Sequence, residues 1–128
     1  MPIKKILLLR RKQGLTPAQF RDGYENSHSR IGIELFGHLW IGYRRNYLTR
    51  GYPFTVSNGA LAGPEDVGYD AISEFILRDE AALEEMGRIA QANWARIKED
   101  ELKWFDEVHS YVMSCETIEE DLSNVDTA

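Results

Sequence analysis

The stretch FRDGYENSHSRIG, residues 20–32, sets Tyr24 and His28 four residues apart, one turn along a helix. Histidine is the one side chain that both gives and takes a proton near neutral pH, and a phenol one turn away can orient its imidazole or hold a substrate oxygen. The pair also has a plain structural reading, a stripe-edge histidine bonded to a carbonyl or water beside a core aromatic. Asp70 and Glu74 form a second centre, two carboxylates spaced for one side of a strand around Ile72. Paired carboxylates suit acid/base work, while ion pairs with Arg44 or Arg45 across a sheet are the alternative; of the two, a buried Glu74 is the better functional candidate.

His38 and His109 complete a set of three histidines. No two of them have the i, i+4 helix spacing or the carboxylate neighbours of a zinc or iron site, so no metal is expected. Haem, which needs only one axial histidine, is the alternative. Trp40, Tyr43, Tyr47, Phe75, Trp94 and Trp104 are core material by default and suitable walls for a flat aromatic ligand. The segment GALAG lacks the trailing Lys-Ser/Thr of a phosphate loop, and no G-x-S-x-G elbow occurs, so no cofactor is expected.

A chain of 128 residues, 43% hydrophobic, has the size of one domain with its own core. With a net charge of -6 and basic residues scattered among acids, nucleic-acid and anionic-membrane partners are disfavoured. The apolar run Ile6 to Leu9 is too short for a secretory core and ends in Arg10, Arg11 and Lys12; it reads as a strand in a cytoplasmic protein. The single cysteine, Cys115, excludes an internal disulfide and reads as a small buried hydrophobe in a strand.

These residues need elements to position them. A first strand is expected at 3–12, then a helix opened by Thr16, Pro17 and Gln19 as cap, first-turn proline and capping-box partner. Its apolar stripe is Phe20, Tyr24, Ile31 and Leu35, and Gly37 closes it. Residues 38–48 form a second strand beginning at His38, and 49–68 a loop long enough to be a lid or dimer arm. A third strand spans 69–77. A helix capped near Asp79 carries Leu83, Met86, Ala90 and Trp94 on one side, and a short helix follows around 98–106. The last strand, 107–118, holds His109, and the acidic residues 119–128 fray.

This order predicts an α+β fold, a ferredoxin-like four-stranded antiparallel sheet covered by helices on one face, in a domain of residues 1–118. The open face, assigned the apolar first strand with Ile41, Tyr43, Ile72, Ile76, Val108 and Val112, calls for a second copy, closing an α+β barrel as a homodimer.

The segments LRRKQGLTPAQFRDGYENSH, GYRRNYL with Asn46, YDAISEF with Asp70 and Glu74, and EDELKWFDEVHSYVMSCE occur in the order and spacing of a known family. Over residues 3–118 the chain resembles the EthD-type members of the dimeric α+β barrel superfamily. That resemblance implies a pocket at the helix–sheet interface and, among relatives, activities from ether-degradation accessory protein to small aromatic decarboxylases, cyclases and monooxygenases. With no cofactor motif present, the leading expectation is a cofactor-free lyase, a decarboxylase or related carbon–carbon bond-cleaving enzyme on a small phenolic or polyketide-like substrate. His28 would be its acid/base group, with Tyr24 assisting. Trp40, Tyr43, Asn46, Tyr47, Glu74, Trp104 and His109 would contact the substrate. A non-catalytic ligand-binding or accessory protein is the alternative from another class, and a cofactor-independent monooxygenase or cyclase the alternative among enzymes.

Overall fold

The computed structural model of the chain describes residues 1–55 and 63–126. Four strands form one sheet: β1 (Ile3–Leu9), β2 (Trp40–Tyr47), β3 (Ala71–Leu77) and β4 (Tyr111–Ser114), in the order β2-β3-β1-β4. Every pairing is antiparallel, with Leu8 opposite Ile72 and Tyr111, and Tyr43 opposite Phe75. This is the ferredoxin-like α+β arrangement expected from the sequence.

The sheet has one protein-covered face because its strands alternate. In β3, Ala71, Ser73, Phe75 and Leu77 are buried while Ile72, Glu74 and Ile76 are half-buried on the other side. The buried side divides into two clusters. Leu9, Phe20, Tyr24, Ala71 and Phe105 make one; Leu39, Phe75, Leu77 and Ala82 make the other, with Leu83, Met86 and Ile89 packed on it.

The first helical stretch opens as its capping box requires: Thr16 Oγ1 accepts from the Gln19 amide at 3.1 Å, and Gln19 Oε1 accepts from the Thr16 amide at 2.8 Å. It is not one regular helix. α1 (Pro17–Gly23) runs into a π-helical turn at Tyr24–His28, then into α2 (Ser29–Phe36). The wider turn shifts the inward stripe by one residue, so Ser29 and Phe36 are buried while Ile31 and Leu35 are only half-buried. Gly37 caps α2 with right-handed backbone, and His38 lies in a 3₁₀ turn ahead of β2.

The segment after β2 lies partly outside the described residues; its described part includes the short helix α3 (Pro64–Val67). Asp79 caps α4 (Glu80–Ala92) by accepting from the Ala82 amide at 2.9 Å. α5 (Trp94–Trp104) is longer than the short helix expected, and Trp94 opens it with its side chain exposed instead of continuing the apolar side of α4. β4 is only four residues long, all exposed. Val108 and His109 sit in the turn before it, and Cys115 lies past its end, exposed, so none of the three occupies the strand position expected. Tyr43 and Val112 lie on the helix side in the register of Phe75 and Leu7, which leaves Ile6, Leu8, Ile72, Ile76, Tyr111 and Met113 as the apolar part of the open face. No helix among the described residues is long and apolar enough to cross a membrane.

Candidate functional site

The π-helical turn brings His28 toward α5. Its Nδ1 lies 3.0 Å from Oδ2 of Asp100, and Ser27 Oγ donates to Oδ1 of the same carboxylate at 2.6 Å. Asp100 is 7% exposed and His28 21%. Burial pulls the Asp100 pKa up, but the hydrogen bonds from Ser27 and His28 outweigh it, leaving the carboxyl below its ordinary value. The Trp104 indole N–H adds a smaller pull without making a regular hydrogen bond. An ionised Asp100 can only accept, so His28 donates from Nδ1–H and keeps Nε2 free of protein partners among the described residues.

His28 and Tyr24 share the wall of a cavity of about 240 Å³ between the π-helical turn, α5 and the β1–β4 edge. Leu7, Leu9 and Phe105 form its apolar side, and the Phe105 ring meets the imidazole edge-on at 5.1 Å between centroids. Lys98, Glu101 and Ser110 supply polar groups, with Lys98 Nζ held 2.7 Å from Glu101.

Tyr24 contributes its ring to this wall, and its hydroxyl is committed elsewhere. The hydroxyl donates to Ser73 Oγ at 2.9 Å and accepts from Tyr43 at 3.4 Å. Burial, with help from Tyr43, pushes its pKa far above that of an ordinary phenol, so it stays protonated. Tyr47 donates to Glu25 at 2.6 Å, and Arg45 pairs with the same carboxylate. The Arg45 bond is the chief reason that Glu25 titrates at about 2. This network ties the π-helical turn to β2.

The remaining expected site residues lie away from the cavity. Trp40 stacks on Phe75 at 5.0 Å in the second core cluster. Trp104 packs against Gly23 behind Asp100. Asn46, which donates to the Ile72 carbonyl at 3.0 Å, and Glu74, which pairs with Lys4 and Arg44 at 3.4 Å each, both lie on the open face of the sheet. Asp70 is no partner for Glu74: it precedes β3, is buried, and binds Arg11 at 2.5 Å. His109 bonds Asp106 at 2.8 Å in the turn before β4. No group of three or more metal-ligating side chains occurs among the described residues.

Residues 12–107 of the chain match the EthD domain. The chain belongs to the EthD family. Solved structures of the same fold include an EthD-like protein from Ralstonia eutropha, 17% identical with a TM-score of 0.63 over 94% of this chain and 95% of that one. An EthD-family protein from Bacillus halodurans is 18% identical with a TM-score of 0.61 over 92% and 100%. A protein from Arabidopsis thaliana is 17% identical with a TM-score of 0.58 over 94% and 99%. At these identities the likeness is one of fold alone. No curated protein matches the chain.

Asp100 is the site residue that sequence reasoning missed. It sits 72 positions from His28, on a helix with acids at 99, 100 and 101, and no local pattern singles it out. Its signal was burial, which only the packing of α5 against the EthD-family helical turn creates.

Proposed function

We propose that the protein is a cofactor-free lyase that decarboxylates a small phenolic or polyketide-like acid in the cytoplasm, with His28 as the group that moves the proton. The observation that carries this reading is His28 on a cavity wall with Nδ1 held by a buried, ionised Asp100 and Nε2 available. That arrangement fixes which nitrogen faces the cavity and delivers the proton.

The chemistry balances without a cofactor. The bond from ring carbon to carboxylate breaks, its electron pair enters the conjugated ring, and carbon dioxide leaves. His28 Nε2, loaded with a proton from solvent, then donates it to the same ring carbon, so one proton is consumed for each carbon dioxide released. The apolar side of Leu7, Leu9 and Phe105 receives the ring and strips water from the departing carboxylate, which raises its free energy relative to the neutral product. Lys98, whose ammonium has three N–H donors and spends two on Glu101 and Glu107, is the cavity side chain suited to a phenol or carbonyl oxygen, since the hydroxyls of Tyr24 and Ser110 already serve Ser73 and Tyr43 and the Arg10 backbone.

The test is turnover of a panel of hydroxybenzoic and resorcylic acids, followed by carbon dioxide release, for the wild type and His28→Ala. Release should fall at least about a hundredfold in the variant while calorimetric affinity for the same acid stays within a few fold. Binding without turnover by the wild type would instead make this a ligand-binding protein, and equal turnover by both proteins would remove His28 from the reaction.

A further inference from the structure

We infer that a second cavity, separate from the one that His28 lines, binds the oxyanion of a small organic molecule. It lies where the chain leaves β1, has a volume of about 390 Å³, and is lined by Arg10, Arg11, Lys12, Asp106 and His109 among others. Three successive basic residues thus converge on one concavity in a protein whose net charge is -6.

The charges on its wall are not equally available. Arg11 is spent on the fold: its guanidinium bonds the Leu15 carbonyl at 2.8 Å and Asp70 at 2.5 Å. Asp106 is occupied by donors from the turn that follows, the Val108 amide at 3.1 Å, the His109 amide at 3.2 Å and His109 Nδ1 at 2.8 Å. Arg10 differs. Its Nε lies 3.8 Å from Asp106, too far for a hydrogen bond, and about half of the side chain is exposed. Lys12 is exposed, with no side-chain partner among the described residues.

Two backbone donors stand beside these cations. The amides of Gln13 and Gly14, both on the cavity wall, bond to nothing among the described residues. A guanidinium fork, an ammonium and two N–H groups around one hollow are what a carboxylate or phosphate oxygen set requires. The hollow is larger than a bare inorganic anion needs, so the occupant carries an organic body.

Phenyl phosphate and benzoate, which share a ring and differ in the oxyanion, are the probes, titrated against sodium chloride at matched ionic strength. The readout is amide shifts in the folded wild type together with calorimetry on an Arg10→Ala/Lys12→Ala variant. Saturable shifts at Gln13, Gly14, His109 and their neighbours, with the affinity they report at least about tenfold lower in the variant whatever happens at the His28 cavity, are expected. Saturation by phenyl phosphate alone identifies a phosphate ester, and saturation by benzoate alone a carboxylic acid; both outcomes support the site. Equal shifts with chloride, no saturable shifts at Gln13, Gly14 and His109, or an unchanged affinity at those amides in a variant with wild-type circular dichroism would overturn it. Because Arg10 and Lys12 touch neither His28 nor Asp100, the result is independent of the decarboxylation assay.

Discussion

Gly23→Ala is expected to destabilise the protein, although alanine is the better helix former. A Cβ at position 23 would lie 2.5 Å from Cζ3 of Trp104 and nearer still to two other ring carbons, where real Cβ atoms essentially never come. Gly23 is buried in the last turn of α1, and Trp104 is the last residue of α5, so the clash presses on the junction that brings His28 to Asp100. Overpacking of this kind costs about 1–3 kcal/mol. The helix preference for alanine over glycine returns up to about 1 kcal/mol. Contacts this short belong at the upper end, about 2–3 kcal/mol, so with the full helix return the balance is a loss of about 1–2 kcal/mol, a fall in Tm of about 4–8 °C for a domain of this size. Differential scanning calorimetry reads the shift. Made on a Trp104→Leu background, Gly23→Ala should cost less than it does on wild type, because the smaller side chain vacates the volume that the methyl needs. A Tm at or above wild type in the single variant would show that helix propensity outweighs the contact and that the α1–α5 approach is loose.

Three further outcomes follow from the same geometry. Under the proposed reaction, Asp100→Asn, which can no longer accept a charge-assisted bond from His28, should lower carbon dioxide release about ten- to a hundredfold at neutral pH with little change in substrate affinity. Glu25 titrates at about 2 in the folded protein against an ordinary 4.5, so it binds fewer protons folded than unfolded between those values. Its contribution to stability is therefore full above about pH 4.5 and lost as pH falls toward 2, and in urea titrations across that window Glu25→Gln should flatten the loss of stability with acid. The apolar open face of Ile6, Leu8, Ile72, Ile76, Tyr111 and Met113 should bury more than about 1,500 Å² in a homodimer; a monomer at micromolar concentration in sedimentation equilibrium would refute it.

Much of the fold is written locally. Thr16, Pro17 and Gln19 announce the first helix because a capping box is a three-residue device, and Asp79 announces α4 for the same reason. The alternation of β3 is harder to read, since its polar members Ser73 and Glu74 sit on opposite faces. Elsewhere local reading fails for identifiable reasons. A period of 3.6 residues places Ile31 and Leu35 inward, and the π-helical turn, which no propensity encodes, moves that duty to Ser29 and Phe36. Trp94 looks apolar enough for the core, but α4 ends at Ala92 and the break at Asn93 turns the indole outward. His28 could be singled out by its chemistry, whereas Asp100 could not, because its meaning depends on a partner on another helix. The long apolar window before Cys115 suggested a full strand; only four of its residues find a partner, along β1.

The His28 cavity is assembled from two unequal stretches of chain. Tyr24, His28 and Phe105 on its wall, with Asp100 bonded to His28, fall within the residues that match the EthD domain, whereas Leu7 and Leu9 of β1 and Tyr111 and Val112 of β4 fall outside them at either end. Val112, on an edge strand and about two-thirds exposed, can change size without disturbing a single hydrogen bond of the dyad. Substitutions at these few terminal positions can thus reshape the cavity while the His28–Asp100 contact stays in place.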